Sequence, residues 1–232
     1  MASIEVIFIR HAEASSSWGD HHDPGLSDTG IAQSKKLINR PELKRLDDYS
    51  FISSPKLRAI NTARPLAKKF EKELIIENIF TEIPSPNIEP ENKQDWLKNI
   101  LQMNKNDLPE KIVKWKDNII SKTKALSQDS VVFTHFMVIN ALLSELNSKT
   151  KLLYFYPDYT SIVKITIEDG EFINFSIDKD KKLITTIRKA DLAKDAADAR
   201  PEVFSPGNAL DAKITIDDDA LIDALENKKI YA

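Results

Sequence analysis

Up to residue 146, short apolar runs alternate along the chain with segments whose apolar residues recur at helical spacing. Four mainly apolar runs are typical of buried strands, over residues 4–9, 49–52, 74–80 and 131–134. Apolar residues at helical spacing lie between and after them, and predict helices over about residues 29–39, 56–64, 97–101, 112–126 and 139–146. Strands that alternate with helices indicate an α/β fold with a largely parallel sheet.

Proline and glycine predict where several of these elements stop. Pro65 is expected to end or kink the helix that begins near residue 56, because an interior proline costs about 3 kcal/mol. After Pro157 the apolar period changes to two, over residues 163–167. Asp169-Gly170 then predicts a hairpin turn, with further strands over 172–177 and 183–187. These late strands are expected at an edge of the sheet.

The composition changes at Lys189. Residues 189–232 hold ten acidic and six basic side chains, whereas the whole chain has a net charge of −3. We therefore predict a main domain over 1–188 and an acidic C-terminal extension over 189–232. The extension has a candidate strand at 213–216 and a candidate helix at about 218–227.

Composition also narrows the classes of function. The chain has 232 residues, 41% of them apolar and 30% charged, which is ordinary for a globular protein. The charge of −3 gives no basic field for nucleic acid, and the absence of cysteine excludes thiolate chemistry and disulfides. No apolar stretch approaches the roughly 20 residues of a membrane span, and no signal peptide is apparent. We expect a cytoplasmic protein without nucleic-acid or membrane partners.

Chemically active side chains follow each of the four early strands. Arg10 and His11 come after the first strand, and Arg58 lies one turn into the helix after the second. Glu82 follows the third strand and His135 follows the fourth. Because ligands bind beyond the carboxyl ends of strands in open α/β sheets, we expect these groups to share one pocket.

Such a pocket suits phosphoryl transfer. Arginine forks match the oxygens of a phosphoryl group, and a neutral imidazole can act as the nucleophile. Arg10 and Arg58 would lower the pKa of His11 and keep its ring neutral near pH 7. Glu82 is placed to protonate the leaving oxygen, although the same arginines would also lower its pKa.

Four segments, in order, resemble the motifs of one known family. Residues 8–13 (FIRHAE) resemble the signature of the histidine phosphatase superfamily, the phosphoglycerate mutase-like group. Residues 26–33 (LSDTGIAQ) resemble its L-[ST]-x-x-G-x-x-Q stretch, and residues 53–63 (SSPKLRAINTA) its S-S-P-x-x-R-A-x-x-T-A stretch. Residues 131–135 resemble its second histidine motif. The chain departs from the family at Phe136-Met137, where glycines are frequent, and at Asn61 and Gly25, where glutamine and proline are common.

The resemblance implies a three-layer α/β/α fold and a set of roles. His11 would be the phosphorylated nucleophile, while Arg10, Arg58 and His135 hold the phosphoryl oxygens. Glu82 resembles the general acid. The family needs no metal or other cofactor, so the resemblance implies a metal-independent phosphatase acting on a small phosphomonoester or a phosphorylated protein.

Three other functions compete with this hypothesis. One is a phosphoglycerate mutase-type phosphotransferase, although the basic substrate contacts of such mutases are not evident in the sequence. Another is a metal-dependent hydrolase that uses Asp20, His21, His22 and Asp23. The last is a non-catalytic regulatory module that keeps the phosphate pocket.

Overall fold

One seven-stranded sheet organises the molecule. The structure is a computed structural model and describes residues 3–16, 23–89, 92–178 and 184–186. Its strands are β1 (Ser3–Arg10), β2 (Ser50–Ser53), β3 (Leu74–Ile76), β4 (Ser130–Thr134), β5 (Ile162–Glu168), β6 (Glu171–Ile177) and β7 (Ile184–Thr186). They lie side by side in the order β3-β2-β4-β1-β5-β6-β7.

The two halves of the sheet differ in strand direction. β1, β4, β2 and β3 pair in parallel, and β5, β6 and β7 extend the sheet beyond β1 by antiparallel pairing. The β5–β6 hairpin turns at Asp169 and Gly170, whose φ angles of 54° and 76° are those a tight primed turn requires. The predicted parallel sheet and the predicted late edge strands are both confirmed.

Helices cover both faces of the sheet. In the described part of the chain they are α1 (Asp28–Lys36), α2 (Leu57–Lys69), α3 (Lys93–Gln102), α4 (Glu110–Lys124) and α5 (Phe136–Leu146). Because successive strand residues point to opposite faces, Phe8 packs in the cluster formed with α4 and α5. Its neighbour Ile9 packs in the cluster formed with α2. The predicted three-layer α/β/α fold is therefore confirmed.

A further apolar cluster lies at the start of α5. It joins Phe136 and Met137 to Ile83 and to buried residues of α3 and α4, among them Leu97 and Ile112. The residues that follow the second histidine are thus part of a packed wall beside the carboxyl end of β4.

The structure corrects two predicted boundaries. α2 continues through Pro65 to Lys69 instead of ending there, since Leu66 and Ala67 beyond the proline are buried against the sheet. Burial of that apolar face outweighs the backbone hydrogen bond that proline cannot make. The strand predicted over 74–80 ends at Ile76, and residues Asn78–Phe80 form a 3-10 turn that buries Phe80.

The structure does not describe the predicted extension 189–232, so its candidate strand and helix lie outside the described residues. No helix within the described ranges is long and apolar enough to cross a membrane.

Candidate active site

The carboxyl ends of β1, β2 and β4 meet in the middle of the sheet. Arg10 of β1 is in register with Thr134 of β4, and the His11 amide donates to the Thr134 carbonyl at 2.8 Å. The Ser54 amide donates to the Phe133 carbonyl at 3.0 Å. These backbone hydrogen bonds continue the strand pairing past the ends of β1 and β2. The residues that follow the three strands therefore lie close together.

Hydrogen bonds to both ring nitrogens fix His11. Its Nδ1 lies 2.8 Å from the Ala12 carbonyl oxygen, which can only accept, so Nδ1 carries the proton. Nε2 lies 3.2 Å from Nε of Arg58 and accepts from it. The ring is therefore a neutral tautomer with its lone pair on Nε2, directed toward Arg58.

The surroundings of His11 favour that neutral form. The residue is 3% exposed. Burial lowers its pKa well below the usual value, and the guanidinium groups of Arg58 and Arg10 lower it further. The neutrality predicted from the two arginines agrees with this geometry, although burial is the larger cause.

His135 stands beside His11 at the end of β4. The two ring centroids are 5.2 Å apart, in an edge-to-face arrangement. Its Nε2 lies 2.7 Å from the Ser54 hydroxyl, whereas its buried Nδ1 hydrogen-bonds to no described residue. Burial, followed by Arg58 and His11, lowers the pKa of His135 well below the usual value.

Arg10 and Arg58 supply positive charge near His11. Arg10 is 2% exposed and Arg58 is 6% exposed. Arg10 donates through Nη1 to the Pro157 carbonyl at 2.7 Å, and Arg58 projects from the first turn of α2 toward His11. Two buried guanidinium groups around a neutral imidazole make a site for an anion.

Glu82 reaches the same site from the segment after β3. Its Oε1 accepts from the Ile83 amide at 2.9 Å and from the Met137 amide, at the start of α5, at 3.1 Å. Burial raises the pKa of Glu82 despite these hydrogen bonds and the nearby Arg58 and Arg10, which lower it. Burial therefore acts against the lowering effect of the two arginines on the pKa of Glu82.

The structure thus brings together the five candidate site residues from the sequence. It also places two further residues there, Ser54 and Thr62, which the sequence analysis did not identify. Ser54 contacts His135, and Thr62 accepts from the Ala12 amide at 2.9 Å while donating to the Arg58 carbonyl at 2.7 Å. Thr62 therefore holds the loop of His11 against α2. A signal was present, since both hydroxyls fall inside the stretch over residues 53–63, but their partners are distant in sequence.

The stretch over residues 26–33 anchors the loop after β1. Ser27 caps α1 through the Gly30 amide at 2.9 Å and donates to the Glu13 carboxylate at 2.6 Å. Gln33 accepts from the Glu13 amide at 2.8 Å. A Cβ on Gly30 would overlap the Glu13 carbonyl oxygen, so glycine allows the helix to approach this loop closely.

The metal ligands that the competing metal-dependent hypothesis would use lie largely outside the described residues. Asp20, His21 and His22 are not described, whereas the Asp23 carboxylate accepts from the Leu57 amide at 3.0 Å, at the start of α2. Among the described residues, no group of three or more acidic or histidine side chains is placed to hold a metal ion.

The fold and the site together define an α/β protein with buried arginine and histidine side chains at the carboxyl ends of its parallel strands. The model of the histidine phosphatase superfamily (branch 1) matches residues 6–177, and the chain belongs to this superfamily. The resemblance stated from the motifs is confirmed. Comparison with curated protein sequences gives no significant match.

Solved structures with the same fold include both phosphatases and a mutase. A mycobacterial glucosyl-3-phosphoglycerate phosphatase is 15% identical, with a TM-score of 0.59 over 76% of this chain and 98% of that one. A phosphoserine phosphatase from Entamoeba histolytica is 19% identical, with a TM-score of 0.55 over 70% and 90%. A phosphoglycerate mutase from Bacillus anthracis is 18% identical, with a TM-score of 0.55 over 76% and 92%.

Proposed function

We propose that this protein is a metal-independent phosphomonoester hydrolase that works through a covalent phosphohistidine on His11. In the first step His11 Nε2 forms a bond to phosphorus while the bond from phosphorus to the leaving oxygen breaks. Glu82 gives its proton to that oxygen, and the alcohol departs.

The second step returns the enzyme to its starting form. Water attacks the phosphorus of the phosphohistidine, and the Glu82 carboxylate takes a proton from that water. The bond between Nε2 and phosphorus breaks, and inorganic phosphate leaves. Arg10, Arg58 and His135 hold the phosphoryl oxygens through both steps, where charge stabilisation supplies most of the catalysis.

The main observation that supports this proposal is the tautomer of His11. A ring whose Nδ1 is bound to a carbonyl must present its lone pair on Nε2, and Nε2 lies 3.2 Å from a guanidinium nitrogen. A phosphoryl oxygen that takes over this N–H bond brings phosphorus within reach of the lone pair. The unused Nδ1 of His135 supports the same position for the phosphoryl group.

The substrate we propose is a small phosphomonoester or a phosphorylated protein side chain. The solved phosphatases with this fold bear the names of small phosphorylated compounds, glucosyl-3-phosphoglycerate and phosphoserine, which supports the small-molecule class. We propose hydrolysis and not mutase transfer, and the two are separated by whether the product is inorganic phosphate or an isomeric phosphoester.

Turnover of 4-nitrophenyl phosphate in EDTA tests the proposal. We expect wild-type activity with the chelator present and loss of at least about a thousandfold in His11→Ala, because the nucleophile is absent. Wild-type enzyme quenched during turnover of a ³²P-labelled ester should carry an acid-labile label, and His11→Ala should carry none. A normal rate in His11→Ala would refute the mechanism.

His22→Ala serves as the control variant. The metal-dependent alternative uses the loop that contains His22, and it predicts loss of activity both in EDTA and in this variant. The proposal predicts that chelator and variant leave the chemistry intact. A non-catalytic phosphate-binding module would bind phosphate without any turnover.

A further inference from the structure

Two aromatic rings flank the guanidinium group of Arg10. Its Cζ lies 4.4 Å from the ring centroid of Tyr159 and 5.3 Å from that of Phe136. Such distances are those of cation–π contacts, which are strongest where water is excluded. Both rings therefore contact the Arg10 guanidinium group.

Tyr159 also borders His11. Their ring centroids are 6.2 Å apart, and Tyr159 is half-buried. The phenol ring therefore covers Arg10 at the side of the pocket where the proposed nucleophile stands. Nothing in the sequence motifs marks this position.

The segment that carries Tyr159, residues 154–160, is tied to the backbone of Arg10. The Thr160 amide donates to the Arg10 carbonyl, and the Arg10 amide donates to the Ser161 carbonyl, each at 3.1 Å. Thr160 has a φ of 60°, which is an uncommon conformation for a β-branched residue. Strained backbone of this kind persists where surrounding contacts over-determine it.

A buried side chain fixes the other end of the segment 154–160. Asn140 of α5 accepts from the amides of Tyr154 at 2.8 Å and Phe155 at 3.0 Å, and donates to the Phe136 carbonyl at 3.0 Å. The segment, the start of α5 and Arg10 are thus one connected unit.

We infer that Tyr159 is a positioning residue, which orients the Arg10 guanidinium group for the phosphoryl oxygens. The inference rests on the proposed function, because Arg10 is assigned there as a phosphoryl ligand. An arginine side chain has several rotatable bonds, and bidentate binding needs its plane fixed. That constraint comes from the Tyr159 and Phe136 rings, from the Pro157 carbonyl and from side-chain hydrogen bonds with Tyr156 and Tyr159.

Calorimetric titration of the full chain with orthovanadate, a phosphate analogue, tests this role. Tyr159→Leu should bind vanadate about tenfold more weakly, or ~1.4 kcal/mol. Tyr159→Phe keeps the ring but loses the hydroxyl that hydrogen-bonds with Arg10, so its affinity should lie between those of wild type and Tyr159→Leu. Tyr154→Leu is the matched control, since it makes the same change in the same segment, where the ring packs on Phe175 at 6.1 Å. It should bind vanadate as wild type does.

A double-substitution cycle separates positioning from general structural damage. In an Arg10→Lys background, Tyr159→Leu should weaken binding no further, because the group it orients is gone. An undiminished tenfold effect in that background, or wild-type affinity in Tyr159→Leu itself, would overturn the inference. Tyr159→Met, which keeps volume without the ring, gives the same comparison where the leucine variant does not fold.

The proposed function and this inference fail in different ways. A wild-type chain that binds vanadate without any esterase turnover overturns the proposed function, and the affinities still decide the role of Tyr159. Equal affinities in all variants, with normal turnover, overturn the inference alone.

Discussion

At His11, one hydrogen bond decides which ring nitrogen faces the phosphoryl site. The Ala12 carbonyl takes the Nδ1 proton, so Nε2 is the basic nitrogen near Arg58. Because an adjacent backbone carbonyl provides this acceptor, the tautomer is built into the loop that follows β1. Burial and the two arginines favour the neutral ring, so the proposed nucleophile needs no separate general base.

Glu82 has the opposite requirement, because it must hold a proton before it can give one. We predict that Glu82→Gln lowers kcat about 10²–10⁴-fold for an alkyl phosphate, whose leaving oxygen needs protonation. For 4-nitrophenyl phosphate, a good leaving group, the loss should be much smaller. Glutamine keeps an oxygen for the Ile83 and Met137 amides, so the fold should be unaffected.

Steady-state rates with both esters measure this difference. Glu77→Gln is the matched control, because it removes a carboxylate from the same segment, where Glu77 forms a surface ion pair with Lys122. It should change neither rate. Equal losses for the two esters in Glu82→Gln would contradict a role as general acid.

At the scale of elements, the position of α1 sets the shape of the loop after β1. Gly30 lies against the Glu13 carbonyl, which is two residues from His11. We predict that Gly30→Ala destabilises the protein by roughly 2 kcal/mol, since a backbone oxygen must shift. The melting temperature should fall by about 4–8 °C, and kcat/KM should fall because the His11 loop moves.

Gly25→Ala is the control for that prediction. Its Cβ would meet the side-chain nitrogen of Asn61 at 3.5 Å, an ordinary van der Waals contact. Scanning calorimetry and the esterase assay should therefore give values near wild type. If both alanine variants melt together with the wild-type chain, close approach at Gly30 is not a constraint.

At the scale of the whole molecule, buried neutral histidines make stability depend on pH. The pKa of His11 is far below its unfolded value, so the unfolded chain binds more protons between the two values. Stability is therefore fully present above about pH 6.5 and falls as pH decreases. We predict that the wild-type free energy of unfolding drops by about 1 kcal/mol more than that of His11→Asn between pH 7.5 and 5.5.

Urea unfolding of both proteins at the two pH values measures this. Glu82 works in the opposite sense, because its raised pKa makes protonation in the folded state favourable as pH falls. That contribution is common to both proteins, so their difference isolates His11. Parallel pH profiles would mean that His11 is not buried as a neutral ring.

Much of this molecule was predictable because local pattern and burial agree. Strand residues such as Phe8 and Ile9 are buried on opposite faces, so residues 6–9 are all apolar and the sequence alone indicates a buried strand. The helix end at residue 64 and the strand end at residue 80 were predicted wrongly, since there tertiary packing acts against local preference. Burial of Leu66 and Phe80 is a property of the whole fold and not of the neighbouring residues.

The sequence by itself determined the order of elements and the residue types that follow each strand, because periodicity and chain order are local properties. Only the tertiary structure decided the approach of Arg58 to Nε2 of His11, the raised pKa of Glu82 and the contact of the Tyr159 ring with Arg10. Each of these depends on burial or on a contact between residues far apart in the chain. Hydrogen-bond direction and desolvation exist only once such residues have been brought together.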